Sequence, residues 1–192
     1  MKKFIYFLLL LGQASCLNMV EPNHQIEYIE VYNSFDNNVI DHFPKKLSNN
    51  YISFIPMLPK IAKNDFNNAS VSLTILVYSN KEYKKEKEKL ISKSKFVKKS
   101  TDNYFLFLNT NFIKKNIKKY ISKYDTLIPV PSDLFNKYDK KSEIAVIDYK
   151  AKNVRKKLKH KNNLLKKWEN GYSKGYTFND INQTITYWLV IW

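Results

Sequence analysis

Residues 184–192 read TITYWLVIW. In an extended chain Ile185, Tyr187, Leu189 and Ile191 share one face, while Trp188, Val190 and Trp192 share the other. A strand that is apolar on both faces has to be covered on both, so it belongs inside a sheet. A second strand is predicted over 71–77, where Val71, Leu73, Ile75 and Val77 alternate with Ser72, Thr74 and Leu76. Short apolar runs at 104–108 and 144–147 predict two more. Residues 51–58 are broken by Pro56 and closed by Pro59, which confines them to an edge, since proline lacks the amide that an inner strand must donate.

Helical signals lie between these runs. Ser79 followed three residues later by Glu82 is a capping-box pair, and it opens a charged helix to about residue 93 with Tyr83, Leu90 and Ile91 as its apolar contacts. Asn111 can cap a helix over 111–124, with Ile113, Ile117, Tyr120, Ile121 and Tyr124 opposite a lysine face. Such a helix packs on a sheet or lies on anionic lipid. Ile128-Pro129-Val130-Pro131 predicts a rigid connector. A basic helix after residue 147 carries Val154, Leu158, Leu165 and Trp168 on its apolar stripe. Strands alternating with helices predict an α/β or α+β fold: a single domain over 25–192, with one central sheet of about four to five strands flanked by helices.

The chain opens MKKFIYFLLLLGQASC. Lys2 and Lys3 form a basic start, Phe4 to Leu11 an apolar run, and Ala14 and Ser15 a small-residue approach to the only cysteine, Cys16. This resembles a bacterial lipoprotein signal peptide over 1–15, with Cys16 as the lipidation site that carries acyl chains such as palmitate and a tether over 16–24. Gln13 stands where such leaders carry an aliphatic residue. Two alternatives remain at this point: a secretory signal cut after Ala14, or a retained helix. The apolar run is about half the roughly 20 residues needed to cross a bilayer.

Formal net charge is +16, and loss of Lys2 and Lys3 with the leader lowers it by two. Arg155 is the only arginine, and phosphate or base recognition leans on the planar guanidinium that lysine lacks. Nucleic acid is therefore not expected as a partner, while anionic lipid headgroups or acidic glycan would be attracted. After the leader the glycines are Gly171 and Gly175, too few for a dinucleotide or phosphate-cradling loop, so no cofactor is expected. Thiol chemistry and thiolate zinc sites need a cysteine beyond Cys16. His24, His42 and His160 have no metal-ligand spacing, so no metal is expected. Asp41 beside His42 is the one pair suited to proton transfer, which makes these two the weak catalytic candidates of a hydrolase. Glu143, Asp148, Glu169 and Asp180 share no common face by sequence.

Residues 168–178 read WENGYSKGYTF, and 185–192 read ITYWLVIW. Both resemble the C-terminal signature of uncharacterised envelope lipoproteins of Bacteroidetes-type bacteria. The resemblance implies an envelope lipoprotein with a binding or scaffold role and carries over no activity. No acidic cluster follows Cys16, which favours an outer-membrane anchor facing the periplasm. Gly171 and Gly175 predict an exposed turn around Tyr172, Ser173 and Lys174. With Trp168 and Tyr176 nearby, aromatic faces and a lysine donor would suit a glycan or peptidoglycan ligand. The alternative is that these aromatics are core and the glycines only make the turn.

Overall fold

A computed structural model of the 192-residue chain describes residues 20–57, 69–102, 104–108, 128–131, 142–150 and 171–191. Among these the elements run α1 (Pro22–Ser34), α2 (Asn37–Ile40), β1 (Tyr51–Met57), β2 (Ser70–Leu76) and α3 (Asn80–Ile91). Then follow β3 (Phe96–Lys99), β4 (Phe105–Leu108), β5 (Ile128–Pro131), β6 (Glu143–Lys150), β7 (Tyr172–Asn179) and β8 (Thr184–Ile191). Strands β1-β2-β8-β7-β6-β3 form one six-stranded sheet in that order. Every neighbouring pair in it is antiparallel.

The strand with two apolar faces takes an inner place. Ile185 through Ile191 are all buried, between β2 and β7. β1 lies at an edge, where Pro56 is tolerated. The β7–β8 hairpin closes from Asn179 to Thr184. Asn179 Oδ1 accepts from the amides of Ile181 and Asn182, each at 3.0 Å. Ser79 Oγ accepts from the Glu82 amide at 3.4 Å, so α3 starts where the capping pair predicts.

Each face of the sheet has its own cover. On one, Leu73, Tyr176, Phe178, Ile185, Tyr187 and Leu189 pack with Tyr28, Val31, Ile40, Tyr83 and Leu90 from the three helices. On the other, Ile144, Val146 and Trp188 pack with Phe105, Ile128 and Val130. Those last three belong to a parallel pair, β4–β5. The Ser173 hydroxyl donates to the Pro129 carbonyl and ties this pair to the sheet.

The expected helix-flanked α/β or α+β sheet of four to five strands is therefore corrected to a predominantly antiparallel β architecture. The described helices, of 13, 4 and 12 residues, cover one face, and the second face is covered by strands. The cause lies in two segments whose glycine and proline content predicts turn and connector. Residues 172–175 are in a sheet strand, and all four residues of β5 are buried and paired with β4. Burial between apolar layers overrides local propensity in both. β3, reading FVKK, has no strand signal and is held by its pairing to β6. Helix α1 starts at Pro22, inside the expected tether, and proline suits a first helical position. Cys16, the helix expected over 111–124 and Val154, Leu158, Leu165 and Trp168 of the basic helix expected after residue 147 lie outside the described residues, while 148–150 continue strand β6.

An ion cluster fastens α3 to the sheet. Lys87 Nζ lies 2.5 Å from Glu143 Oε2 on β6 and 2.7 Å from Asp180 Oδ1 in the hairpin turn. The Tyr83 hydroxyl donates to the same Asp180 oxygen at 2.8 Å. Partial burial alone would raise the Asp180 carboxyl, but hydrogen bonds from Lys87 and Tyr83 outweigh it and hold the group below the usual carboxylate range. Lys87→Met leaves two carboxylates without their shared cation and is expected to destabilise the domain by about 1–2 kcal/mol. A urea midpoint equal to that of the wild type would contradict this.

Candidate functional site

The site is built where the short helix α2 meets the inner strands. Val39, Ile40 and Phe43 are buried, which presses the Asp36–Pro44 segment onto the sheet. The Tyr28 hydroxyl donates to the Pro44 carbonyl and fixes its far end. Asp41 and His42 thereby stand over β7 and β8, facing the C-terminal half of α3.

Between them lies an open cleft of about 450 Å³. Its floor is Tyr176, Tyr187 and Ile147 of the sheet; its rim carries Asp41, Glu86, Lys89, Lys93 and Lys174. Alternation along β7 puts Tyr172, Lys174, Tyr176 and Phe178 on the helix-covered face. Lys174 is 5 % exposed, and its Nζ lies 2.6 Å from Asp41 Oδ1 and 2.7 Å from the Asn38 carbonyl. A buried lysine needs such partners, because a bare ammonium in the core is strongly disfavoured.

His42 Nε2 donates to the Trp188 carbonyl at 3.0 Å. That bond makes Nε2 the protonated nitrogen of a neutral ring. Burial pushes the imidazole down to about 3, reinforced by the charge of Lys174 and opposed by the Trp188 carbonyl and Asp41. Its ring packs edge-on against Phe43 and Tyr176, with centroids 4.7 and 5.9 Å away. The proton-transfer pair suggested by adjacency does not form: Asp41 bonds Lys174 and His42 bonds the main chain. Burial also raises the Tyr176 phenol to about 12, with the charges of Asp41 and Glu86 acting in the same direction. Tyr187 is raised further, first by burial and then by Glu86. Both therefore remain hydrogen-bond donors throughout the physiological range.

The sequence candidates are partly brought together. Asp41, His42, Lys174 and Tyr176 line one cleft, although 133 residues separate Asp41 from Lys174. Tyr172 belongs to a neighbouring cluster, its hydroxyl donating to Asp148, which Lys95 also contacts. The exposed turn expected around Tyr172–Lys174 is instead a buried strand, since Tyr172, Lys174 and Tyr176 all point under the helices. Trp168 lies outside the described residues, as does Glu169. Glu143 and Asp180 are joined through Lys87, away from Asp148. Among the described residues, no three His, Cys, Asp or Glu side chains cluster as metal ligands.

Sequence reading passed over Tyr187, Glu86, Lys89 and Lys93. Tyr187 is the single hydroxyl-bearing member of the Ile185–Ile191 face, which was a signal. Glu86 and Lys89 share one face of α3 at i and i+3, and Lys93 follows just past its C-cap Ser92, but nothing local shows what that face meets.

Compared with protein-family models, curated proteins and solved structures, the chain has no significant match.

Proposed function

We propose that this chain is a lipid-anchored bacterial cell-envelope lipoprotein whose domain binds a ligand and does no chemistry on it. The observation that carries the anchor is Cys16 placed directly behind a basic, apolar and then small-residue leader. The likeness of 168–178 and 185–192 to envelope lipoproteins of Bacteroidetes-type bacteria agrees with it, and the residues after Cys16, which form no acidic cluster, favour an outer-membrane anchor facing the periplasm. Among the described residues no helix is long and apolar enough to cross a membrane. Binding without catalysis is favoured by the cleft, where the histidine is neutral and bonded to backbone while the nearest carboxylate is held by a lysine. An envelope glycan is the ligand class best supported, because the Tyr176 and Tyr187 phenols line that cleft beside the Asp41–Lys174 pair.

Metabolic labelling with an alkyne fatty acid tests the anchor. Wild type is expected to take up label and Cys16→Ser to take up none. Equal labelling of the two would overturn lipidation at Cys16.

A further inference from the structure

We propose that the cleft between the Asp41–Pro44 segment, α3 and strands β7 and β8 holds one acidic sugar residue: a hydroxyl-rich ring with a single carboxylate, of the uronate type. This rests on the reading of the domain as a binding module and names its ligand class.

Size comes first. The cleft volume, about 450 Å³, lies in the lower part of the range of small-molecule sites, roughly 300–1,000 Å³. Its floor then asks for hydroxyl partners. Tyr176 and Tyr187 are 3 % and 6 % exposed, with ring centroids 5.2 Å apart at 89°. Among the described residues neither phenol oxygen has a hydrogen-bond partner, whereas Tyr28, Tyr83 and Tyr172 each donate to one. Neither oxygen is among the buried unpaired atoms, so each opens to water in the cleft and is free to bond a ligand there. An apolar ligand would leave both phenols unpaired and desolvated, at a cost for each.

The rim supplies acceptors. Lys174 bonds Asp41 through Oδ1, and a carboxylate has several further lone-pair sites. Glu86 is bridged through both oxygens by Lys89, at 3.0 Å each. A sugar hydroxyl both donates and accepts, so it can take a proton from a phenol and give one to a carboxylate. That pairing of donors and acceptors suits a polyol.

Charge sets the last requirement. Asp41 and Glu86 are each matched by a lysine, and Lys93 has no acidic partner among the described residues. The cleft thus carries one surplus positive charge, which a monoanion neutralises. A phosphate monoester or diphosphate would bring a second negative charge against Asp41 and Glu86, where like charges repel.

The test is calorimetric titration of the mature acylated protein in detergent with D-glucuronate, D-glucose and acetate. Glucuronate is expected to saturate one site, glucose to bind about fivefold more weakly, and acetate not to saturate. Lys93→Gln should abolish the preference for glucuronate and leave glucose unchanged. Tyr176→Phe should weaken both sugars several-fold at an unchanged denaturation midpoint. Failure of glucuronate to saturate, or binding untouched by both substitutions, overturns the proposal. Inorganic phosphate or a short acidic peptide that binds in a Tyr176-dependent way while glucuronate does not would overturn the sugar and leave the binding-module reading standing. If none of these probes binds in that way, both fall together.

Discussion

Gly175→Ala is expected to destabilise the domain by more than about 3 kcal/mol, enough to unfold much of it under mild conditions. Gly175 faces the strand-covered side of the sheet, paired with Val146 on β6 and Trp188 on β8. A Cβ at this position would stand 2.1 Å from the Ala145 carbonyl oxygen and 2.6 Å from Trp188 Cζ2. A flexible side-chain end could swing away, but the carbonyl is backbone in a paired strand and the indole is fully buried. Relief therefore requires β6 and β7 to part at the centre of the sheet. The reciprocal change, Trp188→Ala, empties the same space and is expected to cost about 3–5 kcal/mol. The pair should be coupled: Gly175→Ala with Trp188→Ala loses less than the sum of the singles, because the ring contact is gone. It does not return to wild type, because the Ala145 contact persists. Urea denaturation of the four proteins reads this directly. A wild-type midpoint for Gly175→Ala would refute the packing argument.

His42 should give the domain an acid limb that begins near neutrality. Its folded value, about 3, lies far below the ordinary histidine value near 6.5. Between these two values the unfolded chain binds a proton that the native state does not. Stability is therefore fully present above about pH 6.5 and falls with pH by up to about 1.4 kcal/mol per unit. The loss ends as pH passes the folded value near 3. Asp148 and Asp180, both held below the usual carboxylate range, add their own losses only under more acidic conditions. Burial opposes that lowering in each case, and hydrogen bonds from Lys95 and Tyr172, or from Lys87 and Tyr83, overcome it. The window from pH 6.5 to 4.5 therefore isolates the histidine. His42→Gln retains a donor for the Trp188 carbonyl and should flatten stability across that window. Parallel slopes for the two proteins would show that His42 is accessible to protons in the fold.

What could be read from residues alone follows the strength of local signals. β2 and β8 announce themselves through alternation and two-sided apolarity, α3 through Ser79 and Glu82, and β1 through the proline that keeps it at an edge. The segment around Gly175 carries the opposite local signal. Tyr-Ser-Lys between Gly171 and Gly175 reads as a turn until Trp188 is placed against Gly175. There glycine provides clearance for an indole, and its backbone freedom is not what the position uses. Ile128–Pro131 misleads for a related reason: its prolines sit in a two-stranded parallel pair, where one side of the strand needs no donor. The cleft was half visible, through Asp41, His42, Lys174 and Tyr176, but in the wrong combinations.

The sequence by itself determined the lone cysteine, Cys16, behind a basic and then apolar run, the lysine-dominated charge, and a strand, 184–192, whose side chains must be covered on both faces. Those properties belong to single residues or to short periodic runs. The tertiary structure alone decided that β7 is an inner strand, that Lys174 meets Asp41, and that two tyrosines from adjacent strands open into one cleft beneath α3. A buried lysine or an unfilled phenol acquires its meaning from partners distant along the chain, and only the folded sheet brings those partners within hydrogen-bonding range.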